Sequence, residues 1–201
     1  MTENIVWHEG AVTGAQRATV TGGRGMTIWM TGLSGSGKST IARLVEAELI
    51  ARGRAAYVLD GDNLRHGLNS DLGFSPDDRT ENVRRVGEVA GLLADAGLVT
   101  LVPVIAPYEA DRERVRRDHD SRGSTFMEVF VDAPLEVCRE RDPKGLYARA
   151  AAGEITGMTG VDAPYEAPTS PDLHLDSAGE TAEMSASAIV DAIFNDLDFN
   201  P

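Results

Sequence analysis

The chain has 201 residues, 42% of them hydrophobic, enough for one domain whose core forms without disulfide staples. Acidic residues outnumber basic ones 32 to 19 and the formal charge is -13, so neither nucleic acid nor an anionic membrane surface is an expected partner; a small anionic ligand must be caught by a local group of Arg and Lys. No apolar run reaches membrane-spanning length, the first residues lack a basic, apolar leader, and Cys138 has no second cysteine to pair with, which points to a buried structural thiol and a reducing cytoplasm.

Residues 1–25 show little periodicity and are expected to form an irregular amino-terminal arm, lying over the domain or on a partner subunit. From there to residue 201 the pattern is that of one domain. Strands are predicted over residues 27–31, 55–59, 98–105, 126–131 and 172–175. Between them run helical patterns. Residues 38–52 carry Ile41, Leu44, Val45 and Leu49 at helical spacing, and residues 77–96 carry Val83, Val86, Val89, Ala90 and Leu93 before Gly97 ends the pattern. Further helices are predicted over residues 109–121, 134–141 and 181–197. This alternation implies an α/β fold, a mainly parallel sheet with helices on both faces and ligands outside the carboxyl ends of its strands. Residues 142–170 are long for a passive connection, and a lid is favoured there over an ordered surface excursion.

Gly32-Leu33-Ser34-Gly35-Ser36-Gly37-Lys38-Ser39 satisfies the Walker A pattern and lies between an apolar strand and an amphipathic helix, the context its mechanism requires. Its glycines let the backbone wrap so that successive N–H groups and a helix N-terminus face phosphate oxygens. Lys38 then neutralises the β- and γ-phosphates, and the Ser39 hydroxyl suits magnesium. Asp60-Gly61-Asp62 ends the second strand beside this cradle. Two carboxylates there can divide two tasks, holding magnesium and orienting or accepting the proton of an attacking hydroxyl; a capping role is the alternative for Asp62.

Arg65, Arg79, Arg84, Arg85 and Asn82 form a basic concentration in an acidic chain. Arg84 and Arg85 sit in the helix pattern, where a solvated face is the ordinary reading of one of them. Arg65 and Arg79 occupy loop or helix-start positions, where planar forks grip a sulfate or phosphate. Phe74 reads either as a minor core residue or, in its polar Gly/Pro-punctuated turn, as a platform for a base.

Asp60 to Arg65, Gly73-Phe74-Ser75 and Asp78 to Arg85 resemble the adenylylsulfate kinases, which make 3′-phosphoadenylylsulfate. So do Asp142-Pro143-Lys144-Gly145-Leu146-Tyr147, Ala152-Gly153-Glu154-Ile155, Thr159-Gly160-Val161-Asp162 and the amino-terminal Asn4-Ile5-Val6-Trp7-His8. The likeness covers nearly the whole chain. It implies a P-loop NTPase-type fold, ATP and magnesium as cofactors, adenylylsulfate as substrate and a homodimer. Residue by residue, it implies that Gly32 to Thr40 bind ATP with Arg141 bordering its base, and that Ser39 and Asp60 serve the metal. It further implies that Arg65, Arg79 and Asn82 hold the adenylylsulfate anion beside Ile105, that Phe74 stacks on its adenine, that Lys144 reaches phosphate from the lid, and that Asp62 activates the 3′-hydroxyl.

Three positions depart from the family pattern. Ala106 stands where many members have a serine sometimes described as a phosphorylated intermediate, so transfer is either direct or altered. Met158 replaces the Phe that usually completes the adenine sandwich, and Glu109 replaces a basic or neutral residue. The rival readings are a P-loop kinase of another small acceptor and a nucleotide-binding regulatory homologue without turnover.

Overall fold

The computed structural model describes residues 6, 8 and 10–195, and its first element corrects the irregular arm expected over residues 1–25: α1 (Gly14–Thr21) is a helix. Thr13 and Gln16 form a capping box, each side chain bonding the other's backbone N–H, and Gly22 ends the helix at φ 81°. The Thr13-x-x-Gln16 spacing was the available signal. The helix end is docked, because the Arg54 guanidinium donates to the carbonyls of Gly22 and Arg24 and Ala55 N donates to Thr21 O at 2.9 Å. Asn4, Ile5 and Trp7 of the amino-terminal motif and residues 196–201 lie outside the described residues.

The chain continues through β1 (Met26–Thr31), α2 (Lys38–Ala51), β2 (Ala56–Val58), α3 (Gly61–Leu64), α4 (Pro76–Asp95), β3 (Val99–Pro103) and α5 (Glu109–Ser121). It ends with β4 (Thr125–Asp132), α6 (Leu135–Arg141), α7 (Leu146–Ala151), β5 (Leu173–Asp176) and α8 (Ala182–Asn195). The five strands pair in parallel in the order β2-β3-β1-β4-β5, matching the predicted parallel α/β sheet. The strand predicted over residues 98–105 stops at Pro103; the next residues leave the sheet to wall the site. Among the described residues no helix is long and apolar enough to cross a membrane.

Both faces of the sheet are covered, so β1 is buried throughout and its residues alternate between two cores. Met26, Ile28 and Met30 pack with Ile41, Val45 and Leu49 of α2 and Ile189, Val190 and Ile193 of α8. Trp29 points the other way, to Val83, Val86 and Ala90 of α4 and Val115 of α5. Thr27 shares that second face: its hydroxyl lies 3.0 Å from His119 Nε2, while His119 Nδ1 lies 2.8 Å from Val115 O. A neutral ring donating from Nδ1 and accepting at Nε2 satisfies both contacts, and burial holds its pKa below the ordinary value. Cys138 is fully buried, as a structural thiol should be.

Candidate active site

The carboxyl ends of β1, β2 and β3 open onto a cleft of about 950 Å³. Its floor is the loop between β1 and α2. Gly32 at φ 151° and Gly35 at φ 81° allow that loop its tight path: a Cβ on Gly32 would lie 2.3 Å from Val131 O, and one on Gly35 would lie 2.9 Å from Cys138 O. The loop is also held from outside, since Tyr147 Oη donates to Ser34 O at 2.9 Å and Ser177 Oγ donates to Ser36 O at 2.7 Å. Lys38 Nζ donates to Gly32 O at 2.8 Å and Leu33 O at 2.7 Å. Burial pulls its ammonium down to about 8, against the opposing fields of Asp62 and Asp60. Gly32 and Leu33 thus act through backbone carbonyls behind the cleft, whereas Ser34 to Thr40 line it.

Asp60 has two partners. Its Oδ2 accepts from Ser39 Oγ at 2.8 Å, and its Oδ1 accepts from Asp62 N at 2.9 Å, capping α3. The capping role weighed for Asp62 therefore belongs to Asp60. Asp62 keeps its side chain in the cleft, 62% exposed and ion-paired with Lys144 across from it. The Ser39 hydroxyl and Asp60 carboxylate are adjacent hard-oxygen donors. They fit magnesium, a cation that takes few protein ligands and completes its shell with water and phosphate.

At the other end of the cleft the Arg65 guanidinium stacks 4.3 Å over the Phe74 ring and donates to Gly73 O at 3.0 Å. Phe74 is 66% exposed, which removes the core reading and leaves a ring offered to the cleft. Arg79 Nε donates to Phe74 O at 2.9 Å, and its two terminal nitrogens donate to Thr159 Oγ1 and Gly157 O. Asn82 Oδ1 accepts from the buried Asn69 at 3.0 Å, which leaves the Asn82 NH2 group to serve the cleft. Arg84 and Arg85 do not take part. Both pair with Glu81, Arg85 also with Asp71, so the solvated reading applies to the pair and not to one member. Glu109 is also away from the cleft; its backbone N–H donates to Glu166 Oε2 and its side chain accepts from Thr169. The Glu109 departure from the family pattern therefore adds no negative charge to the lining of this cleft.

Residues 142–170 include α7 and reach across the opening. Met158 is 8% exposed and belongs to a small cluster with Ala133, Cys138 and Tyr147 while also lining the cleft. Arg141 lines the cleft beside the β1–α2 loop, donating to Ser177 O at 2.6 Å and Gly35 O at 3.4 Å. Ile105 also lines the cleft, and its carbonyl accepts from Thr31 Oγ1. Next to it Ala106 has φ 42°, a left-handed conformation that costs a Cβ-bearing residue roughly 1–2 kcal/mol. Sequence reasoning did not find the supports Tyr147, Ser177 and Asn69. Tyr147 lay within a quoted motif, but Ser177 and Asn69 carry no local signal because their roles depend on chain segments distant in sequence.

The family model for adenylylsulphate kinase matches residues 24–176. The chain is 60% identical over 87% of its length to the adenylyl-sulfate kinase of Enterobacter sp. (strain 638), covering 86% of that protein. Its structure is similar to that of the Mycobacterium tuberculosis APS kinase CysC in complex with AMPPNP and APS, with a TM-score of 0.84 and 55% identity over 86% of this chain and 99% of that one. It is also similar to the hexameric APS kinase from Thiobacillus denitrificans, with a TM-score of 0.66 and 31% identity over 92% of this chain and 32% of that one. With a P-loop, two carboxylates and Arg65 and Arg79 sharing one cleft, and with these matches, the chain belongs to the adenylylsulfate kinase family.

Proposed function

We propose that the protein transfers the γ-phosphate of ATP to the 3′-hydroxyl of adenylylsulfate, giving ADP and 3′-phosphoadenylylsulfate. One observation carries the reading: a continuous cleft joins the phosphate cradle to the Arg65–Phe74–Arg79–Asn82 end, with the Asp62 carboxylate in the same cavity. Residues 34–40 bind the triphosphate, and Arg141 borders its base. Ser39 and Asp60 would hold magnesium, which when bound neutralises phosphate charge. Asp62 accepts the proton of the 3′-hydroxyl. Arg65, Arg79 and Asn82 grip the acceptor's anion beside Ile105, Phe74 stacks on its adenine, and Met158 gives the other side of that slot a flexible thioether. Residues 142–170 act as the lid, a role supported by the Lys144–Asp62 pair and by the hold of Arg79 on Gly157 and Thr159. The cytoplasm is the proposed compartment, and a homodimer is the proposed assembly. The test is ADP release from ATP with adenylylsulfate, AMP or simple nucleosides; release without preference for adenylylsulfate would overturn the reading.

Arg79→Ala is expected to raise the KM for adenylylsulfate much more than that for ATP, because the guanidinium stands at the acceptor end and fastens the lid there. Steady-state kinetics with each substrate varied will show it, and equal effects on both would contradict the assignment.

Ala106 supplies a further test. Its side chain, 3% exposed, is a methyl with no nucleophilic oxygen, and the reading is therefore of direct transfer. Ala106→Ser is expected to change kcat by less than about tenfold, roughly 1.4 kcal/mol in barrier, with no acid-stable phosphoprotein after incubation with labelled ATP. An inactive wild type beside a strongly active serine variant would favour an obligatory phosphoserine.

A further inference from the structure

Behind the acceptor wall lies a charge pair that the proposed chemistry does not use. Arg112 on α5 is 2% exposed, and its Nε donates to Glu128 of β4 at 2.8 Å. Its Nη1 donates to Ala106 O at 2.9 Å. Ala106 is the residue with φ 42°, in the left-handed region that favours glycine. Residues 105–107 all line the cleft. The same short loop is gripped from the opposite side by the stem of the lid. Tyr165 Oη lies 3.1 Å from Thr31 Oγ1, which donates to Ile105 O, and Glu166 N donates to Pro107 O at 2.8 Å.

A buried ion pair adds little net stability compared with packed apolar side chains. This one also leaves Arg112 Nη2 buried without a partner, a cost that a purely structural pair need not carry. What the guanidinium does provide is a rigid fork that reaches a carboxylate with one nitrogen and a backbone carbonyl with another, which a single ammonium does not reproduce. The carbonyl it reaches belongs to Ala106, a Cβ-bearing residue in the left-handed conformation.

We propose that Arg112, oriented by Glu128, is a positioning residue: it holds Ala106 in the left-handed conformation and so sets the wall of residues 105–107 against which the acceptor lies. The proposal rests on the reading of this cleft end as the adenylylsulfate site. Its effect falls on the acceptor and leaves the nucleotide end alone, because the hydrogen bonds of Arg112 run to Glu128 and Ala106 and not to the β1–α2 loop.

The experiment compares wild type, Ala106→Gly, Arg112→Lys and the double variant by KM for each substrate, kcat and thermal midpoint. Arg112→Lys is expected to raise the KM for adenylylsulfate about tenfold and leave that for ATP within about twofold. Glycine at position 106 adopts positive φ without penalty, so the double variant should regain most of the lost affinity. Parallel changes in both KM values, a fall in thermal midpoint without a KM change, or no rescue by glycine would each overturn the proposal. If Arg112→Lys does not fold, Glu128→Gln takes its place, and an unaltered acceptor KM there overturns the proposal equally. A wild type inactive toward adenylylsulfate would sink the functional reading alone. The Arg112 proposal would then be decided by the same comparison with whichever acceptor the wild type does use.

Discussion

Lys38→Ala is expected to lower kcat by at least about a hundredfold, close to 2.7 kcal/mol in barrier, while the protein stays folded. Lys38 is 7% exposed, and its ammonium sits at the bend of the cradle, where the transferring phosphate gathers negative charge. Its hydrogen bonds to Gly32 and Leu33 are lost in the variant, but so is the cost of keeping a charge out of water, and the two offset in stability. A pH profile adds a second readout. Burial has brought the Lys38 pKa down to about 8 in the free protein, so the charged form dominates below that value and the neutral form above it. The wild-type kcat/KM for ATP should therefore fall as pH rises through about 8, and that limb should be missing from the Lys38→Ala profile. Steady-state kinetics and a thermal melt are sufficient; near-normal turnover in a folded variant would remove the cradle from the mechanism.

The cradle was legible in the sequence because its chemistry is local. Eight consecutive residues specify the turn, the N–H groups and the lysine, and the strand and helix on either side announce themselves by periodicity. The sheet order was not legible to that depth. Alternation of strands and helices implies parallel pairing, but the placement of β1 between β3 and β4 depends on which faces pack, and β1 shows its two-sided burial only when folded. The acceptor end fell between these cases. Arg65, Arg79 and Asn82 stand out as polar residues near a turn, yet the partners that aim them, the Phe74 ring and carbonyl and the Asn69 amide, are tertiary contacts. Arg84 and Arg85 looked equivalent to Arg79 in composition. Their fate was decided by Glu81 one helical turn away, with which both pair.

The same distinction explains why the loop after β3 entered the sequence reading only through the resemblance, which named Ile105 and Ala106. Its residues are Ile, Ala and Pro, which carry no titratable group, so their own chemistry does not suggest an active-site wall. The shape comes from a backbone conformation, and the backbone is governed by an arginine six residues on and by the stem of a segment some sixty residues further. Function there is stored in geometry, which a sequence reading organised around reactive side chains passes over.

Asp62→Asn is expected to lower kcat by about 10²–10⁴, the range for loss of a general base, with much smaller changes in either KM. Asp62 follows β2 on the short helix capped by Asp60, so its backbone is fixed while its carboxylate remains in the cleft and 62% exposed. The amide has nearly the same shape but cannot accept the hydroxyl proton. A competing explanation is that Asp62 serves only to dock the lid through its pair with Lys144. The two separate cleanly. The Oδ1 of an asparagine can still accept a hydrogen bond from the lysine, so a docking role predicts that Asp62→Asn keeps most of the rate while Asp62→Ala loses it. Proton acceptance predicts that both variants lose it alike, since neither side chain can take the proton. Measuring kcat for the two variants at saturating ATP and adenylylsulfate decides the matter, and an asparagine variant within about tenfold of wild type would strip Asp62 of the base role and leave it as a latch for the lid.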